Sequence, residues 1–148
     1  MASEQSPRRR VLGVPGIEHQ NPIPQAVEIG GLVFSSAIFG EDPETGEIPD
    51  DPARQAELAF GHMRTMLGQA GAGPEHVAKL TVFLSDDANR AHVNTEWLKM
   101  FPDADDRPAR HTVRTDLRRG MLVQLEFIAV RTHGGPPPAA ITASDAAP

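Results

Sequence analysis

A chain of 148 residues with a net charge of −6 and no cysteine has room for one domain with a real core and is short for two. Its acidity argues against general nucleic-acid binding, which needs a clustered basic surface. The missing thiols exclude disulfides, thiolate nucleophiles and cysteine-ligated metals. No apolar run approaches the ~18 residues of a membrane span and no secretory leader is recognisable, so a cytoplasmic protein without membrane partners is expected.

Residues 1–20 read as a flexible N-terminal segment, with Arg8-Arg9-Arg10 its only basic run. Strands are expected at Ala26 to Ile29 and Leu32 to Ile38 around the turn Gly30-Gly31. Glu41 to Gly46 is a polar turn. Asp51-Pro52 has the N-cap and first-turn proline of a helix, and Ala56, Phe60, Met63, Leu67 and Ala70 give it one apolar face as far as Gly71. Val77 to Leu84 is a nearly continuous apolar strand, expected to be covered on both sides. Asp86-Asp87 opens a second helix with Val93, Trp97, Met100 and Phe101 on one side and Pro102 as its stop. Ala109 to Asp116 and Met121 to Val130 are the last two strands, joined through Arg118-Arg119-Gly120. The tail from His133 is too rich in Gly, Pro and Ala to offset its ordering entropy, so residues 133–148 are expected to be disordered and 21–132 to form a single domain. The order β-β-α-β-α-β-β implies an α+β layer, two helices on one face of a mixed sheet. The other face then calls for cover by subunit association.

Arg110 opens a strand in an apolar region behind Pro108, and arginine is the side chain best shaped to clamp a carboxylate with two parallel hydrogen bonds. Either it clamps a small organic acid, or it pairs with the acids of Asp103 to Asp106. Gln124 and Glu126 share one face of the last strand. Glu126 reads equally as a base or as a partner for a buried donor, whereas Gln124 can orient a water but cannot take its proton. Ser35-Ser36, Asn94, Thr112 and His111 offer further polar groups. No HExxH or i, i+4 histidine pair marks a metal site, and no phosphate-binding glycine loop is present. In a regular final hairpin Arg110 and Gln124 would face opposite sides and meet only through a bulge or across a subunit boundary.

Seven pieces in order carry a resemblance: Asn21 to Gln25, Gly30 to Ser36, Asp42 to Gly46, Leu80 to Asp86, Val93 to Thr95, Arg107 to Arg110 and Glu126 to Val130. Over about residues 21 to 131 the chain resembles the Rid family of reactive intermediate deaminases, also called the YjgF family. The resemblance implies a chorismate-mutase-like fold, a homotrimer with pockets between subunits, and hydrolysis of small 2-imino or enamine acids to keto acids and ammonia. It implies no metal and no organic cofactor. The carboxylate-binding arginine falls on Arg110, the pocket serine on Ser36 and the pocket asparagine on Asn94. Three positions depart from the pattern: Ile23 stands where a tyrosine is usual, Ala37 where a glycine follows the serine, and Gln124 where a glutamate is usual, Glu126 matching a second one. The alternative to a deaminase is a non-catalytic or repurposed trimer that binds a small carboxylate through the same arginine.

Overall fold

Turn glycines and strand formers shape the first third of the chain. The computed structural model describes residues 8–17 and 19–131. In it β1 (Arg10–Leu12) pairs antiparallel with β2 (Ala26–Ile29), which pairs with β3 (Leu32–Ser35). Gly30 and Gly31 both hold left-handed φ, 56° and 81°, as a two-residue loop between right-twisted strands requires. A Cβ on Gly31 would collide with the Arg131 carbonyl. Part of the lead-in expected to be flexible is therefore ordered: Arg10 pairs with Glu28 and donates to the Gln69 carbonyl. The remaining lead-in, 1–7, and the tail 133–148 lie outside the described residues.

The strand expected from Leu32 to Ile38 is broken after Ser35, and β4 is only Ile38–Phe39. Both β3 and β4 pair with β7 (Val123–Val130), through Phe34↔Ile128 and then Ile38↔Leu125. Three residues thus oppose two, a β-bulge. The Ser35 hydroxyl fills the gap by accepting the Phe127 N–H at 2.9 Å.

α1 (Pro52–Gln69) starts where Asp51 accepts the Ala53 N–H at 3.0 Å. Its Ala59, Phe60, Met63, Met66 and Leu67 are buried against Leu80, Val82 and Leu84 of β5 (Val77–Leu84) and Leu125 and Phe127 of β7, each large side chain contributing roughly 1.5–3 kcal/mol. A 3-10 turn over Asp87–Asn89, capped by Asp86, precedes α2 (Arg90–Met100). β6 (Ala109–Arg114) ends the sheet, whose order is β1-β2-β3-β7-β5-β6.

β6 runs parallel to β5, and β5 lies between β6 and β7. The expected final hairpin is therefore absent. The two strands are not neighbours because the link from α2 brings β6 in beside β5, leaving β7 to close the other side of β5. The α+β class and the two-helix layer are as expected. The helices cover one face only: within the chain the other face of β5 and β7 is open, with Lys79 and Glu126 exposed and Thr81 and Phe83 partly so.

Candidate functional site

Register assigns each candidate to a face. Leu80 is flanked by Arg110 on one side and Phe127 on the other, so Arg110 shares the helix face with this buried pair. Thr112, opposite the buried Val82, follows it on the same face. Glu126, Thr81 and His111 form a row across the open face, and Gln124 lies beside Phe83 and Phe39 on that face. Arg110 and Gln124 do face opposite sides of the sheet, through pairing with an intervening strand and not through a hairpin. The two side chains do not meet within this chain.

The Arg110 half of the site sits at the sheet edge under α2. Its guanidinium carbon stands 5.1 Å from the centroid of Trp97, a cation–π placement, and Trp97 packs edge-on against Phe101 at 4.7 Å. Burial lowers the Arg110 pKa, and the charge of Arg90 lowers it further. A depressed cation weakens the fold wherever it is charged, which for a guanidinium is the whole accessible pH range. A carboxylate relieves that cost; a change of pH does not.

Among the described residues no carboxylate pairs with Arg110. Of the acids expected to compete for it, Asp103 accepts the Asp105 N–H at 2.9 Å, and none forms an ion pair with it. The neighbouring Arg107 is consumed by the end of α2, donating to the carbonyls of Phe101 at 2.9 Å and Pro102 at 3.4 Å. The two arginines of one short segment thus have different roles. Asn94 is exposed on α2, one turn before Trp97.

The other half gathers at the bulge. Ser36 donates its hydroxyl to the Pro24 carbonyl at 2.8 Å and its N–H to the Gln25 carbonyl at 2.9 Å. This ties the loop carrying Ile23, 48% exposed, to the Ser36-Ala37 break. The Ser36 hydroxyl proton is therefore committed, leaving its oxygen as an acceptor. Two residues beyond Ala37, Phe39 pairs with Gln124. Glu126 lines a separate depression of about 240 Å³ with Phe34, Ser35, Lys79 and Thr81 on the open face. Among the described residues no cluster of three or more histidine or acidic side chains is arranged to hold a metal, and no helix is long and apolar enough to cross a membrane.

The sequence singled out Arg110, Ser36, Asn94, Ile23, Ala37, Gln124 and Glu126 without the Trp97 platform. The signal was present: Trp97 lies on the apolar face of α2, and a strand packed under that face had to bring some side chain to its ring.

Two helices laid on one face of a mixed sheet, with the candidate polar residues divided between its two faces, define a small α+β protein. Comparison with known proteins identifies the class. The model of the family described as Endoribonuclease L-PSP matches residues 16–131, and the chain belongs to that family, the Rid (YjgF) family. A RutC family protein of Haemophilus influenzae is 34% identical over 113 residues, covering 74% of this chain and 87% of its own. The 2-iminobutanoate/2-iminopropanoate deaminase of Escherichia coli is 31% identical over 112 residues, covering 74% and 88%. The crystal structure of Escherichia coli TdcF with bound serine superposes with a TM-score of 0.74 at 30% identity, over 83% of this chain and 99% of that one.

Proposed function

We propose that the protein is a homotrimeric deaminase that hydrolyses small 2-imino and enamine acids, with Arg110 of one subunit clamping the carboxylate beside Ser36, Ala37 and Gln124 of the next. The observation that carries this is Arg110 itself: partly buried, stacked on Trp97, and without a carboxylate partner among the described residues. Such a guanidinium gains more from an incoming carboxylate than a solvated one does. Membership in a family that includes a deaminase of 2-imino acids supports the choice of chemistry, as does a relative crystallised with an amino acid.

The chemistry asks little of the protein. An enamine first takes a proton at its β-carbon to become the iminium, and an imine takes one at nitrogen. Water then adds to the imine carbon, the carbon–nitrogen bond breaks, and the carbonyl forms as ammonium leaves with the protons. Arg110 fixes the carboxylate and so sets the position of the carbon. The Gln124 amide oxygen orients the water by accepting one of its hydrogens, and Thr112 and Asn94 line the Arg110 side. Holding water and electrophile in line supplies much of the rate. Without a carboxylate at Gln124, proton transfer falls to the water and the leaving amine, and a slow enzyme results. Glu126 shares the face of Gln124 but opens onto the depression with Lys79 and Thr81.

The test is release of ammonia and 2-ketobutyrate from 2-iminobutyrate generated in situ. The wild type accelerates it and Arg110→Ala loses the acceleration. An inactive wild type whose melting temperature rises with 2-ketobutyrate, and no longer rises in Arg110→Ala, makes the protein a carboxylate binder instead.

A further inference from the structure

On the basis of that deaminase pocket, we infer that Arg119 supplies a second cation to it and that the preferred substrates are imines of dicarboxylic acids. Arg119 is the only non-glycine with positive φ among the described residues, at 59°, and Gly120 follows at 75°. The Met121 N–H donates to the Arg118 carbonyl at 3.0 Å. Together these make a type I′ turn, whose first central position ordinarily takes Asn, Asp or Gly. A long cationic side chain breaks the local rule there, and such departures concentrate at functional positions.

The turn is also held from within. Gln55 of α1, fully buried, donates to the Gly120 carbonyl at 3.0 Å and accepts the Leu122 N–H at 2.7 Å. From this fixed base the Arg119 guanidinium lies 5.6 Å from the centroid of Phe39, and Phe39 is the cross-strand neighbour of Gln124. The ring is thus a shared neighbour of the cation and of the amide proposed to position water. Gln124 is neutral and itself adds no repulsion toward an anion.

Glu47 and Asp50 line the adjoining depression with Arg119, but neither forms an ion pair with it, and its N–H donors have no protein acceptor among the described residues. Stacking takes only the flat face of a guanidinium. The edge that grips a carboxylate in two parallel bonds stays open. Arg110 would hold the carboxylate next to the imine carbon, and Arg119 the distal one.

Calorimetric titration with 2-oxoglutarate and 2-ketobutyrate, the diacid and monoacid product types, tests this. The wild type should bind the diacid about tenfold or more tightly than the monoacid, the scale of one charge-assisted contact. Arg119→Gly suits the turn and should bring that ratio to about one. A wild type that binds the monoacid as well as or better than the diacid overturns the inference and leaves the deaminase pocket standing. A variant that keeps the wild-type ratio, whether or not both acids weaken, overturns it too. Failure of the wild type to bind either acid overturns both.

Discussion

Arg110 carries its charge where an indole face supports it and, among the described residues, no carboxylate offsets it. In the proposed pocket Gln124 stands where a proton acceptor would be most useful, and an amide cannot be one. These two residues set opposite expectations for binding and for rate. Gln124→Glu should raise kcat/KM on 2-iminobutyrate by about 10²-fold, the ordinary scale of acid–base assistance. It should also add an acidic limb to the pH–rate profile, activity falling as pH drops and the new carboxylate protonates. Steady-state kinetics from pH 5 to 9 checks both. An unchanged rate and profile would mean that position 124 does not face the reacting water. Arg110→Lys keeps the charge but loses the planar fork and the stacking, so its loss should appear mainly in KM.

At the scale of elements, periodicity gave both helices and the runs Ala26 to Ile29 and Val77 to Leu84, because each has one face, or two, that must be buried. It could not give the pairing. Whether β6 neighbours β7 or β5 depends on how the chain leaves α2, and no local pattern records that. The break at Ser36-Ala37 was equally hidden, since a bulge is a property of two strands and Leu32 to Ile38 shows only one of them. The faces of Arg110 and Gln124 came out opposite even so, but by another register: Leu80 stands beside both Arg110 and Phe127, which puts Gln124 on the far face. The contribution of Gln55 was hidden for another reason: as one of several polar residues along α1, beside Arg54 and Glu57, it gives no sign of its burial or its partners.

Gln55 makes three buried or partly buried hydrogen bonds, to the Pro49 carbonyl at 2.7 Å, the Gly120 carbonyl and the Leu122 N–H. Gly40 lies so close to its backbone that a Cβ would collide. Gln55→Leu keeps the bulk and orphans all three groups, so it should cost about 2–4 kcal/mol, measured as a lower urea midpoint at unchanged slope. A midpoint within error of wild type would show that water replaces the amide.

At the scale of the molecule, five of the exposed large apolar side chains, Val11, Leu32, Phe34, Ile128 and Val130, lie on the sheet face away from the helices. Contiguous apolar surface of this kind marks an interface, and a closed symmetric assembly is the usual way to cover it. Phe34→Asp should therefore lower the sedimentation coefficient to that of a smaller species while far-ultraviolet circular dichroism stays unchanged. A wild type that already sediments as a monomer would remove the basis of the shared pocket.

The central claim is that the clamp and the water-positioning group of each site come from different subunits. Arg110→Ala removes one and Gln124→Arg blocks the other, and each variant alone should be inactive. Co-expressed at equal levels, they should assemble at random and regain about a quarter of wild-type activity, since each site draws one half from each of two subunits in a cyclic assembly. If both halves belonged to one chain, every site would carry a defect, and the mixed protein would stay as inactive as its parents.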